Sequence, residues 1–176
     1  MISRRKLIQL TVAAVGVTAV GGYLSIDDTE VMPELHSLDL RFLSAEQGTI
    51  LALLMVVVLD HKQLEDINAL QNWLVKIDHA LAFIPDNQQQ DLLMLLDTLT
   101  HKLGRLVLTA DISQWQQGDT ELINKVLNNW RHSSLSLLNT AYVGIKQLIM
   151  AVWYSEPENW SDIAYPGPPN LGRPKG

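Results

Sequence analysis

With 176 residues, no cysteine and 47% hydrophobic residues, the chain is long enough for one domain with its own core and too apolar to be disordered. The missing sulfur excludes disulfides, thiolate metal sites, cysteine-held iron–sulfur clusters, a cysteine nucleophile and covalent haem attachment. The formal charge is −6, and with Arg4, Arg5 and Lys6 set aside, 10 basic residues face 19 acidic ones, a balance of −9 that repels phosphate backbones and argues against nucleic acid as a partner.

Residues 1–26 read as a targeting segment. A positive head, Arg4-Arg5-Lys6, precedes a moderately apolar run through Leu7, Leu10, Val12, Val15, Val17 and Val20, the layout of an export signal whose head stays in the cytoplasm while the run enters the bilayer. Ser3, Arg4, Arg5 and Leu7 resemble the twin-arginine signal, although Ile8 and Gln9 depart from its pattern. The rival reading is an ordinary signal or a single-pass anchor. No clear Ala-x-Ala site precedes Asp27, so removal near residues 21–25 and retention as an anchor of about 20 residues both stay open. The resemblance implies that Arg4 and Arg5 address the chain to the twin-arginine translocase, which carries folded cargo.

Residues 27–43 read as a polar connector with Pro33 and isolated apolar residues. Ser44, with Gln47 three positions on, predicts a helix N-terminus and a helix over 45–59. The run from Ile50 to Leu59 is apolar on every side and too short for a lipid span, which places it through the centre of the fold. Its three consecutive valines also permit a buried strand, for which no turn or partner strand is in view. A three-to-four residue rhythm through Leu64, Ile67, Leu70, Leu74, Ile77 and Leu81 predicts a second helix over 64–83, closed by Pro85. A third is expected to begin at Asp86 or Asn87, with Leu92, Leu96, Leu99, Leu103 and Leu106 carrying it toward Leu108. Residues 109–118 form a break, after which Asp119 or Thr120 is placed to cap a helix over 121–133. The last long helix carries Leu135, Leu138, Tyr142, Ile145, Leu148 and Val152, steps that fit one face of a helix and no strand. The expectation is all-α: a single compact bundle of four to five helices at 44–155 with an extended Pro/aromatic tail at 156–176.

Chemistry is sparse along this chain. His36, His61, His79, His101 and His132 never fall at His-x-x-x-His or Glu-x-x-His spacing, which would set two ligands on one helical face. Phosphate-binding glycine loops and a Gly-x-Ser-x-Gly elbow are missing, and Ser133, Ser134 and Ser136 have no evident base. Neither a catalytic site nor a cofactor or metal site is expected in this chain.

The C-terminal segment has a different character. Trp153, Tyr154, Trp160 and Tyr165 lie among Pro157, Pro166, Pro168 and Pro169. Proline stiffens the free chain and the aromatics offer large apolar areas with polar edges. Such a segment suits a partner's groove and equally suits folding back onto its own bundle. Trp130-Arg131-x-Ser133, Ala141-Tyr142, Leu148, Ala151-x-x-Tyr154, Pro157, Trp160 and Ile163-x-Tyr165-Pro166-Gly167-Pro168 together resemble the small subunit of bacterial membrane-associated, flavin-dependent sugar and polyol dehydrogenases, the gluconate 2-dehydrogenase subunit 3 family. Ala164 stands where that family often has glycine, which suggests a different backbone turn. The resemblance covers residues 130–169 most specifically. It implies a non-catalytic accessory subunit of the periplasm, held at the inner membrane through its complex or an uncleaved leader. The partners implied are a large glucose-methanol-choline-type subunit holding FAD and a multihaem cytochrome c as a third subunit. By the same comparison, Arg4 and Arg5 direct export while Trp153, Tyr154, Trp160, Tyr165 and Pro166 contact the partner. The alternative is a stand-alone periplasmic helical module that binds a ligand or a protein.

Overall fold

A helix with no polar side has nowhere to go but the middle of a protein. In the computed structural model, which describes residues 32–101, 108 and 120–168, helix α1 (Ala45–Leu59) buries every residue from Gly48 to Met55. Around it stand α2 (Ile67–Ala80), α3 (Asp86–Thr100), α4 (Thr120–Arg131) and α5 (Ser136–Trp153), and α1 packs against all four. The described residues contain no strand, so the fold is an all-α bundle built around α1. The valines that permitted a strand belong instead to this helix, because its ends are set by strong local chemistry.

The α1 N-terminus is a complete capping box. Ser44 Oγ accepts from the Gln47 N–H at 3.2 Å, and Gln47 Oε1 accepts from the Ser44 N–H at 3.0 Å, pairing two of the donors that a helix start leaves free. Glu46 in the first turn has its carboxyl held below the ordinary range, first by a backbone hydrogen bond and then by the Ser44 hydroxyl. The other end stops at Asp60, whose left-handed backbone (φ 46°) closes the helix through its N–H to the Val56 carbonyl at 3.0 Å.

Several helix boundaries differ from those the rhythm predicts, and the helix expected over 121–133 spans Thr120–Arg131. The apolar spacing across 64–83 runs through two breaks: Lys62–Glu65 is a 3-10 turn, Asp66 caps α2 by accepting from the Asn68 N–H at 2.9 Å, and Leu81–Phe83 is again a 3-10 turn. The Asp66 cap fixes the start of α2, and Leu64 and Leu81 reach the core from their 3-10 turns. Helix α3 begins at Asp86 as expected but stops at Thr100, with His101 extended. Leu103, Leu106 and the break expected at 109–118 lie outside the described residues, as do Arg4 and Arg5. Leu135 is 62% exposed at the start of α5, so it contributes nothing to the apolar face on which the sequence placed it, and Ser133 lies in the turn before it, accepting from the Leu135 N–H at 3.1 Å.

The segment before α1 is more than a connector. Residues Pro33–Ser37 form a 3-10 turn against α1, and Met32, Leu35 and Leu43 are buried in the core. What fixes this segment is Asp78. Its carboxylate, on a side chain only 1% exposed, accepts the backbone N–H groups of Arg41 at 2.7 Å and of Phe42 and Leu43 at 3.0 Å each. Successive N–H groups converging on one anion form a nest, here filled by an internal carboxylate that joins α2 to the entry of α1. Its neighbour His79 faces solvent, as the divergent directions of adjacent helical residues require.

Candidate functional site

The C-terminal segment does not run out extended from the bundle. After α5, Pro157–Ile163 coils into a 3-10 turn that folds back onto the end of α5 and reaches His61 through Asp162. Trp153 is the pivot: 2% exposed, its ring centroid is 4.5 Å from Trp73 and 4.9 Å from His61. The indole N–H of Trp153 donates to Asp162 Oδ2 at 3.3 Å. His61 Nδ1 accepts the Gln63 N–H at 3.2 Å, which leaves the proton of the neutral ring on Nε2, 3.9 Å from the same Asp162 oxygen. Lys76 ties in the other edge, with its ammonium 2.6 Å from Glu156 Oε1 and 4.4 Å from the Trp73 ring.

Inside the turn, side chains take the place of a regular ladder. Buried Asn159 donates from Nδ2 to the Trp153 carbonyl at 2.8 Å, and the Trp160 indole donates to the Tyr154 carbonyl at 2.8 Å. Both acceptors sit at the end of α5, where carbonyls have no helical partner. The turn ends at Ala164, whose φ of 52° and ψ of 33° put an alanine in left-handed space. That is the conformation glycine takes without steric cost and a Cβ makes unfavourable. Ala164→Gly is expected to stabilise the chain by about 0.5–1 kcal/mol, read as a rise in the urea midpoint with an unchanged slope. One residue on, the Tyr165 ring meets Trp160 edge-on at 5.2 Å. Gly167 carries a φ of 96° where a Cβ would come within 3.1 Å of Trp160 Cζ3, so both its backbone and its missing side chain are used.

The five tail residues singled out from the sequence thus separate. Trp153 is a core residue, so in this fold it offers a partner almost no surface. Tyr154 and Trp160 are half-buried with their backbone or indole groups engaged internally. Tyr165, 44% exposed, and Pro166 face solvent, and Ile163, 52% exposed, joins them. The sequence did not single out His61, Trp73, Lys76, Asn159 or Asp162 as parts of this unit. For most of these the partner lies on a different element, and only Asn159 and Asp162 had a local hint in their closeness to the end of α5.

Two open clefts flank the bundle. One, of about 560 Å³, runs along α2 to the base of the tail and includes Asp66, Trp73, Lys76 and Glu156. The other, of about 210 Å³, lies where α4 and α5 meet the end of α1 and includes Arg131, Tyr142 and Lys146. Among the described residues no three His, Asp or Glu side chains converge on a point that would hold a metal ion, and no described helix is long and apolar enough to cross a membrane. The chain matches no protein-family model, and comparison with curated proteins and with solved structures gives no match.

Proposed function

We propose that this chain is a non-catalytic accessory subunit that binds, stabilises and co-exports the FAD-containing subunit of a periplasmic sugar or polyol dehydrogenase complex, with a multihaem cytochrome c as the third member. The resemblance over residues 130–169 supports this reading. So does one structural observation: the tail is braced from within by Trp153, Asn159 and Trp160, yet it presents Ile163, Tyr165 and Pro166 to solvent. Exposed apolar residues on a pre-ordered segment lower the entropy lost on association, which is the property a docking element needs. Arg4 and Arg5 serve export of both proteins, since a leaderless flavoprotein bound to this chain crosses with it.

Two sets of variants test the two halves separately. Arg4→Lys with Arg5→Lys, co-expressed with a leaderless flavoprotein of the glucose-methanol-choline type, is expected to leave both proteins in the cytoplasm. Ile163→Ser with Tyr165→Ser is expected to leave this chain folded and exported but to strand the flavoprotein, with at least a tenfold loss of capture, or about 1.4 kcal/mol. Normal export of the flavoprotein beside either variant would overturn the proposal.

A further inference from the structure

We propose that the cleft where α4 and α5 meet the end of α1 binds a carboxylate that carries a short apolar chain. The observation behind it is a charge imbalance. Acidic residues outnumber basic ones by 19 to 13 in this chain, yet Arg131 and Lys146 share a cleft that no carboxylate lines. Among the described residues the ion pairs are His61 with Asp162 and Lys76 with Glu156. Arg131 belongs to neither, and the ammonium of Lys146 has only the distant face of Tyr142, 5.9 Å from the ring centroid.

Two cations lining one cleft with no carboxylate beside them leave it electropositive, which favours an anion there. The cleft supplies the rest of a recognition set. Beside the two cations the cleft is lined by Asn124, Asn128 and Tyr142, residues that can hydrogen-bond, and by the apolar Val57, Val58 and Leu127. Guanidinium suits the planar carboxylate by its paired donors, and the ammonium adds a point charge beside it. Phosphate fits less well, for Arg131 is the last residue of α4, and the negative potential at a helix C-terminus opposes a dianion about twice as strongly as a singly charged carboxylate. The volume of about 210 Å³ equals about seven water molecules, enough for a carboxylate with a chain of a few carbons. The site shares no residue with the tail surface and stands whether or not that surface meets a partner.

The test is a titration of the isotope-labelled full chain with hexanoate at constant ionic strength, followed by nuclear magnetic resonance. Hexanol serves as the neutral control. The side-chain amide signals of Asn124 and Asn128 are expected to shift and saturate in the millimolar range, with hexanol weaker. Arg131→Gln and Lys146→Gln are each expected to weaken saturation about tenfold, while the buried Trp130 indole signal reports that both variants keep the fold. A short glutamate-containing peptide distinguishes the sources of the group: tighter binding than hexanoate assigns the site to an acidic side chain of another protein, and weaker binding to a free carboxylic acid. Absence of a saturable shift, equal affinity in the two variants, or stronger binding of inorganic phosphate would each overturn the proposal.

Discussion

Asp78→Ala is expected to be the most damaging single polar substitution in the bundle, lowering stability by about 4 kcal/mol. The alanine removes the common acceptor of three backbone N–H groups, those of Arg41, Phe42 and Leu43. Those donors lie where the chain enters α1, and water has little access because Leu43 is buried and Phe42 half-buried. Hydrogen bonds to a charged group are worth about 1.5–3 kcal/mol each when tested singly, and three sharing one carboxylate are not additive. Asp78→Asn separates acceptor number from size. Its one oxygen still serves Phe42 and Leu43, which both use Oδ1, while the amide NH2 meets the Arg41 N–H donor to donor. About half the loss is expected for this variant. Urea unfolding followed by circular dichroism gives both values, and an alanine variant as stable as the parent would remove the carboxylate from its structural role.

This same residue shows what the sequence can and cannot convey. In the rhythm of α2, Ile77 and Asp78 occupy alternative places on the inner face, and periodicity has no means to choose a carboxylate over an isoleucine for burial. The structure buries both. The deciding groups are 35 to 37 residues upstream, on a segment whose composition reads as a polar link. Features whose causes are local were legible: the Ser44–Gln47 box, the start of α3 after Pro85, and the central position of a helix apolar on all sides. The helix ends at Ala80 and Thr100 were less so, because Leu81 remains buried beyond a helix end and the apolar rhythm carries on past it.

The candidate site divides along the same line. Aromatic and proline density marks residues 153–169 as unusual from composition alone, but burial and binding use the same side chains. Which rings go inward depends on Trp73 and His61, about 80 and 90 positions away in sequence, and on the reach of Asp162 back to an indole. Ala164 adds a subtler case. A left-handed backbone is usually signalled by glycine, whereas here an alanine adopts it and accepts the Cβ. Turn geometry at this point is set by the Tyr165 N–H to Trp160 carbonyl bond of 3.0 Å and by Trp160 packing over Gly167.

Trp153→Ala is expected to cost about 4 kcal/mol and, unlike Asp78→Ala, to loosen the tail ahead of the bundle. Removing the indole empties the space between Trp73 and His61 and takes away the only indole donor that reaches Asp162 among the described residues. Asn159 still has its acceptor, the Trp153 carbonyl, since that bond runs to the backbone. The turn Pro157–Ile163 therefore keeps its shape while losing the surface on which it rests. Limited proteolysis is expected to cut within 157–168 in this variant before the helices unfold, and Trp153→Phe, which refills most of the volume but cannot donate, is expected to fall between it and the parent. Capture of a flavoprotein should decline in step with protection of the tail across these variants. Ile163→Ser with Tyr165→Ser should instead lose capture with protection intact. A Trp153→Ala chain that lost capture while its tail stayed protected and its unfolding midpoint stayed unchanged would mean that the indole itself meets the partner, and the brace would have to be sought elsewhere.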